Sequence, residues 1–187
     1  MLRETYDYKL KPTLKIVNVV TSTKVFPCIS IEKLAISLPH VIYEPETFSG
    51  LIYRQIFPKS TIIMFASGKI TSTGCPSVNS SKKSISSIIF EIEKVMKTSL
   101  TQTAISIENI VGVSYISKKI DLKTLSKYSS AISYDKDRFA GAICTINKMK
   151  ALIFSTGKII LVGAKTENEL SLTNKMVLHL LKDTHSV

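Results

Sequence analysis

Apolar positions along this chain follow two rhythms, and the whole series of rhythms occurs twice. Leu14, Ile16, Asn18 and Val20 fall on one side of an alternating stretch, with Val17 and Val19 on the other, which predicts a β-strand. Ile31, Leu34, Ala35 and Leu38 then recur at i, i+3, i+4 and i+7. This predicts a short helix, capped by Ser30 and ended by Pro39. Four short strands follow, at about 40–43, 50–57, 60–66 and 69–73, with turns at Pro58-Lys59 and Ser67-Gly68. A longer helix closes the series, its stripe made of Ile85, Ile88, Ile89, Ile92, Val95 and Met96. The serine-rich stretch 77–87 resembles low complexity, but the isoleucine stripe that begins within it argues for helix.

The second passage repeats the first in the same order. Lys15-Ile16-Val17-Asn18-Val19-Val20 returns as Ser106-Ile107-Glu108-Asn109-Ile110-Val111, an offset of 91. Tyr43-Glu44-Pro45-Glu46-Thr47-Phe48-Ser49-Gly50 returns at the same offset as Tyr134-Asp135-Lys136-Asp137-Arg138-Phe139-Ala140-Gly141. Ile62-Ile63-Met64-Phe65-Ala66-Ser67-Gly68-Lys69 returns as Ala151-Leu152-Ile153-Phe154-Ser155-Thr156-Gly157-Lys158, now at 89, as does Gly74-Cys75 in Gly163-Ala164. Two residues are therefore missing from the second copy between Phe139 and Phe154. Its short helix starts at Asp121 and carries Leu122 and Leu125; its long helix carries Leu172, Met176, Val177, Leu180 and Leu181. The expected units are 11–99 and 100–187, joined by the polar stretch 98–103, with 1–10 as an N-terminal extension.

Strands 14–20, 62–66, 105–111 and 151–154 are apolar on both alternating faces, whereas a sheet with one wet face should alternate cleanly. Four helices can cover one side of a ten-stranded sheet and not both. The other side must meet a partner that accepts apolar contact. Charge identifies its character: the 187 residues carry a formal net charge of +11, which favours a polyanion. The minor groove of DNA offers both, with apolar sugars in the walls and phosphates at the rims.

Other classes fit poorly. The longest apolar run, Ile62 to Ala66, falls far short of the roughly 20 residues that span a bilayer, and the first ten residues show no apolar leader. A soluble, intracellular protein is expected. Cys28, Cys75 and Cys144 form no CxxC pair or zinc spacing, so no metal or cofactor is expected. The three histidines, His40, His179 and His185, belong to no catalytic motif, so no enzyme is expected.

At the Asn-x-Val strand, the acidic Tyr-x-x-x-x-Phe turn, the Phe-x-x-Gly-Lys hairpin and the Gly-x that ends the fifth strand, the chain resembles the TATA-box-binding protein family. The run Glu44-Pro45-Glu46-Thr47-Phe48-Ser49-Gly50-Leu51-Ile52-Tyr53-Arg54 is especially close. The resemblance covers about residues 12–183 and implies an α+β saddle. Two pseudo-symmetric repeats would form one curved ten-stranded antiparallel sheet, with four helices on the convex face and DNA against the concave one. It implies that Phe48, Phe65, Phe139 and Phe154 are DNA-intercalating wedges. Asn18, Val20, Ile63, Thr73, Asn109, Val111 and Leu152 would touch the groove floor, and Arg54, Ser67, Lys69, Thr156, Lys158 and Lys165 the phosphates. The acidic turns at Glu44, Glu46, Asp135 and Asp137 would be stirrups for a B-type initiation factor. Lys82, Lys83, Lys94 and Lys97 would lie on the convex helices, where regulators dock.

The implied function is a general transcription initiation factor. It would bind TATA-like promoter DNA in the minor groove, kink it and nucleate an assembly with the RNA polymerase machinery. The alternative is a divergent adaptor that works mainly through protein contacts and binds DNA weakly. The location would be the nucleus in a eukaryote, or the cytoplasm and its nucleoid in an archaeon. Several positions depart from the family pattern. Val162 stands in place of a threonine, Thr145 of an arginine, Pro76 of a lysine and Thr71 of a valine, and the hairpin around 147–150 is two residues short. Most departures lie in the second half, so weaker or less selective DNA binding is expected.

Overall fold

Alternation and helical stripes become elements close to the positions the sequence predicts, except that the opening strand of each copy runs further, to Phe26 and to Tyr115. A computed structural model describes residues 13–184 and residue 186; the extension at 1–10 and His185 lie outside the described residues. The chain divides into two compact units. One is Val17–Ile110; the other joins the segment up to Ile16 with the residues from Val111 onward.

The first unit contains β1 (Lys15–Phe26), α1 (Ile31–Ser37), β2 (Val41–Glu44), β3 (Phe48–Gln55), β4 (Ser60–Met64), β5 (Lys69–Cys75), α2 (Val78–Met96) and β6 (Thr101–Gln102). Its strands run antiparallel in the order β2-β3-β4-β5-β1. The stretch expected as a simple joint forms the short strand β6 on the end of β1. There Thr23 Oγ1 donates to the Thr103 carbonyl at 2.8 Å, and the Lys24 amide donates to Thr103 Oγ1 at 3.0 Å. Ser30 caps α1 by accepting from the Lys33 amide, and Leu38, held extended before Pro39, ends it.

Both helices pack on one face of the sheet. Ile85, Ile88, Ile89 and Ile92 of α2 meet Leu51, Ile62, Met64 and Ile70 in one buried cluster. The serine-rich segment is helical, as its stripe implied, and places Ser81 and Ser84 wholly inside. A buried hydroxyl needs a partner, and each has one. Ser81 pairs with Thr21 at 2.8 Å; Ser84 pairs with Ser60 at 2.6 Å and accepts from Ser72 at 3.2 Å.

The second unit contains the second half of β7 (Ser106–Tyr115), then α3 (Leu122–Tyr128), β8 (Ile132–Ser133), β9 (Gly141–Ile146), β10 (Met149–Phe154), β11 (Lys158–Ala164) and α4 (Glu167–Asp183). Its strand order, β7-β11-β10-β9-β8, repeats that of the first unit. The two-residue deletion is one shortened hairpin. Gln55 pairs with Ser60 across a four-residue turn, whereas Ile146 pairs with Met149 across Asn147 and Lys148 alone. Both of those turn residues have positive φ, 49° and 62°, as a tight two-residue hairpin requires. Removing an even number of residues keeps every later side chain on its original face.

The stripe on α4 needs correction. Leu172 and Met176, expected to face inward, are 50% and 45% exposed. The inward row is Leu170, Thr173, Asn174, Val177 and Leu181. Two of these are polar, so counting apolar residues alone rotates the helix. Thr173 secures its place by donating to the Met149 sulfur at 3.1 Å.

Candidate nucleic-acid interface

In each unit the strands alternate between a helix-covered face and an open one. On β4 of the first unit, Ile62 and Met64 are fully buried, while Ile63 and, just past the strand's end, Phe65 are half-buried. On β10 of the second, Ala151 and Ile153 are buried and Leu152 and Phe154 are half-buried. The open face thus keeps large apolar side chains without helical cover, which is why these strands read as apolar on both faces.

Strand register sorts the open faces into rows. In the first unit Arg54, Thr61 and Thr73 form one row, and Ile52, Ile63, Thr71 and Ser22 the next. In the second, Thr145, Lys150 and Val162 match the first row, and Ile143, Leu152 and Ile160 the second. Val162 therefore occupies the register position of Thr73, and Thr145 that of Arg54. Val20 and Val111 are half-buried on β1 and β7.

The largest side chains on these faces come in pairs. Phe48 and Phe65 meet edge to face with ring centroids 5.8 Å apart and planes at 71°. Phe139 and Phe154 repeat the arrangement at 5.7 Å and 64°. Phe48 and Phe139 are 40% and 36% exposed, which leaves each pair a prominent apolar edge. Each pair stands over a glycine. A Cβ on Gly50 would lie 2.7 Å from Phe48 Cε1 and 3.0 Å from Phe65 Cε1. One on Gly141 would lie 3.0 Å from Phe139 Cε1 and 3.3 Å from Phe154 Cδ1. Sequence reasoning missed this role, although Phe-x-Gly stands in both copies.

Asn18 is oriented by its surroundings. Its Oδ1 accepts from the Gly74 amide at 2.7 Å, and its Nδ2 donates to Thr73 Oγ1 at 3.3 Å. Gly74 presents that amide at φ +89°, a conformation side chains disfavour. With the oxygen engaged by backbone, the amide has donor capacity to offer a partner. Asn109 takes the equivalent place on β7 and is half-buried.

Cations and hydroxyls rim the faces. Arg54, Ser67, Lys69, Thr156 and Lys165 are exposed, and Lys158 is half-buried. The sequence reading overlooked Lys24, which lies directly opposite Lys69 on the neighbouring strand and 5.0 Å from the Phe26 ring centroid. Like charges in direct cross-strand register repel, so this pairing favours an anion nearby. A groove of about 290 Å³ beside them is lined by Ser22, Lys24, Ser67, Lys69, Thr103 and Ser106, among others.

The acidic turns expose all four carboxylates, and in the first Glu44 Oε2 accepts from Thr47 Oγ1 at 3.4 Å. The Glu44 carbonyl accepts from the Thr47 amide at 3.0 Å. Asp135 is drawn into its own turn: its Oδ1 accepts from the Asp137 amide at 3.1 Å, and its Oδ2 lies 3.6 Å from Arg138 Nε. Beside the first turn, desolvation raises the Tyr43 pKa above its ordinary value, with the charge of hydrogen-bonded Glu32 adding to it. Burial likewise raises the Cys144 thiol on the helix side of β9. Among the described residues, no group of three or more His, Cys, Asp or Glu side chains is placed to hold a metal ion, and no helix is long and apolar enough to cross a membrane.

The family model "Transcription factor TFIID (or TATA-binding protein, TBP)" matches residues 13–95 and 104–184. The TATA-box-binding protein of Methanocaldococcus jannaschii is 31% identical over 180 residues, spanning 95% of this chain and 98% of its own. That of Picrophilus torridus is 32% identical over 178 residues, spanning 93% and 95%. The solved structure of Methanococcus jannaschii TBP superposes with a TM-score of 0.81 at 30% identity, covering 91% of this chain and 98% of that one.

Proposed function

We propose, from the premise that this chain belongs to the TATA-binding protein family, that it is a general transcription initiation factor that binds TATA-like DNA through its open sheet faces. Two edge-to-face phenylalanine pairs, exposed at matched positions over matched glycines, are the observation that carries this reading. Each pair acts as a wedge. Unstacking a base step costs a few kcal/mol, and the bent duplex repays it with wider contact, as is typical of minor-groove binders of this family. Steps that unstack readily, above all TA, become preferred targets without any base-specific bond.

Asn18 and Asn109 add a chemical filter. An amide N–H can donate to adenine N3 or thymine O2, whereas a G·C pair presents its own N2 donor. Thr73 supports Asn18; Val162, in the matching row, offers no hydroxyl. Val20, Ile63, Val111 and Leu152 press on the apolar groove walls. Arg54, Lys69, Lys158 and Lys165, with Ser67 and Thr156, hold phosphates and set the register without reading sequence. The protein acts by binding and deforming DNA, not by catalysis.

The exposed carboxylates Glu44, Glu46, Asp135 and Asp137 are the acidic docks for a B-type initiation factor and the polymerase machinery. Lys82, Lys83 and Lys94 on α2, with Lys97 at its C-cap, are the cations we assign to regulators. The relatives named above are archaeal, which favours a nucleoid in the cytoplasm as the place of action. The test is competition between a TATA-containing duplex and a G·C-scrambled one across a salt series. A preference of about 100-fold or more, on the scale of two mismatches at 1–3 kcal/mol each, supports the reading. Equal affinity for both duplexes overturns it in favour of a basic adaptor.

A further inference from the structure

From the strand register we infer that Lys150 is a phosphate-binding residue that restores, one strand over, the cation the second unit lacks at Thr145. In the first unit the outermost row begins with Arg54 on β3, paired directly with Thr61 on β4. In the second unit the equivalent pair is Thr145 on β9 and Lys150 on β10. The same two side-chain types, a cation and a threonine, have exchanged strands. Neighbouring strands lie about 4.8 Å apart, within the reach of a lysine side chain, so the charge stays at the same rim.

Three observations point to an anion here. Lys150 is exposed and lies on the open face, because its neighbours Met149 and Ala151 are buried against the helices. Its cross-strand neighbours, Thr145 and Val162, carry no charge to pair with it. Lysine is also a poor strand former, so the position is not explained by local propensity. The Asn147-Lys148 hairpin removes two residues before it and so keeps Lys150 on this face.

The inference rests on the reading of the open face as the DNA surface. Its test is fluorescence anisotropy on a TATA-containing duplex from about 0.1 to 1 M salt. The proteins are wild type, Lys150→Thr, Lys150→Arg and the double variant Thr145→Arg/Lys150→Thr. One phosphate contact contributes about 0.9 to the slope of log affinity against log salt. Lys150→Thr should therefore lower the slope by about 0.9 and weaken binding about eightfold near 0.1 M, with the gap closing near 1 M. Lys150→Arg should keep the wild-type slope, and the double variant should recover it by rebuilding the first unit's arrangement.

If Lys150→Thr keeps both slope and affinity while the wild type still prefers the TATA duplex, this inference is overturned and the DNA reading stands. If Lys150→Thr is weakened and neither rescue recovers the slope, the lysine acts through structure and the inference is again overturned. A wild type without preference for the TATA duplex overturns the DNA reading and takes this inference with it.

Discussion

Replacing Gly50 by alanine separates the wedge from the fold. The new methyl would lie 2.7 Å from Phe48 Cε1 and 3.0 Å from both Phe48 Cζ and Phe65 Cε1, with no backbone atom among its closest contacts. Ordinary van der Waals contact begins near 3.4 Å, so the Phe48 ring must retreat by about 0.7 Å. Being 40% exposed, it can do so at an off-rotamer cost of about 0.5–1.5 kcal/mol. Alanine offsets about 0.4–1 kcal/mol of that by restricting the unfolded chain. Net stability should therefore fall by at most about 2.5 kcal/mol, counting about 0.5–1.5 kcal/mol for the loosened edge-to-face pair.

The edge-to-face pair, worth about 0.5–1.5 kcal/mol, is what must break. DNA affinity should then fall about 3- to 10-fold and the induced bend should shrink. Thermal melting and anisotropy on one preparation read both quantities. Unchanged affinity and bend would refute the claim that the glycine floor positions the wedge. Gly141→Ala is the contrast: its methyl would also meet the Ile153 carbonyl at 3.0 Å, backbone that cannot swing aside. Overpacking there should cost about 1–3 kcal/mol of stability in addition.

Other expectations follow from single contacts. Asn18→Asp keeps an acceptor for the Gly74 amide but removes the donor and adds a negative charge; melting should hold while TATA binding is lost, and retained binding would exclude the amide from the groove. Ser84→Ala removes the acceptor of the buried Ser72 hydroxyl and one of the two partners of Ser60, which still donates to the Pro58 carbonyl. It should cost about 1–3 kcal/mol in urea unfolding without altering the salt slope of DNA binding. Asp121 caps α3, and its hydrogen bonds from Thr124 lower its pKa below the usual carboxylate value. A lowered carboxyl stabilises the fold above its unfolded pKa, and that stability is lost as pH falls through the folded pKa. Asp121→Ala should thus lower the melting temperature at neutral pH, and the gap to wild type should close in acid.

Much of the architecture was legible because duplication turns weak local signals into matched ones. One exposed phenylalanine says little; Phe48 with Phe139, and Phe65 with Phe154, at fixed offsets mark a surface. Open strands with apolar residues on both faces implied an uncovered side before any contact was known. What stayed hidden depends on neighbours in space. Register alone shows that Lys150 faces Thr145, and that Lys24 faces Lys69. The glycine floors need ring positions, although the Phe-x-Gly spacing was visible. On α4 the inward row includes Thr173 and Asn174, so apolar counting chose Leu172 and Met176 instead. The isoleucine stripe marks the serine-rich start of α2 as helix, but which hydroxyls pair beneath it depends on the packed sheet.

The claim that the phenylalanine pairs wedge DNA is tested most directly by energy transfer between dyes at the two ends of a short TATA duplex. The protein would be wild type, Phe48→Ala or Phe139→Ala. Saturating wild type should bring the ends together through a large bend, and each variant should lose a substantial part of it, since each removes one wedge. Wild-type saturation with no change in end-to-end distance, or a bend that both variants reproduce in full, would contradict the mechanism.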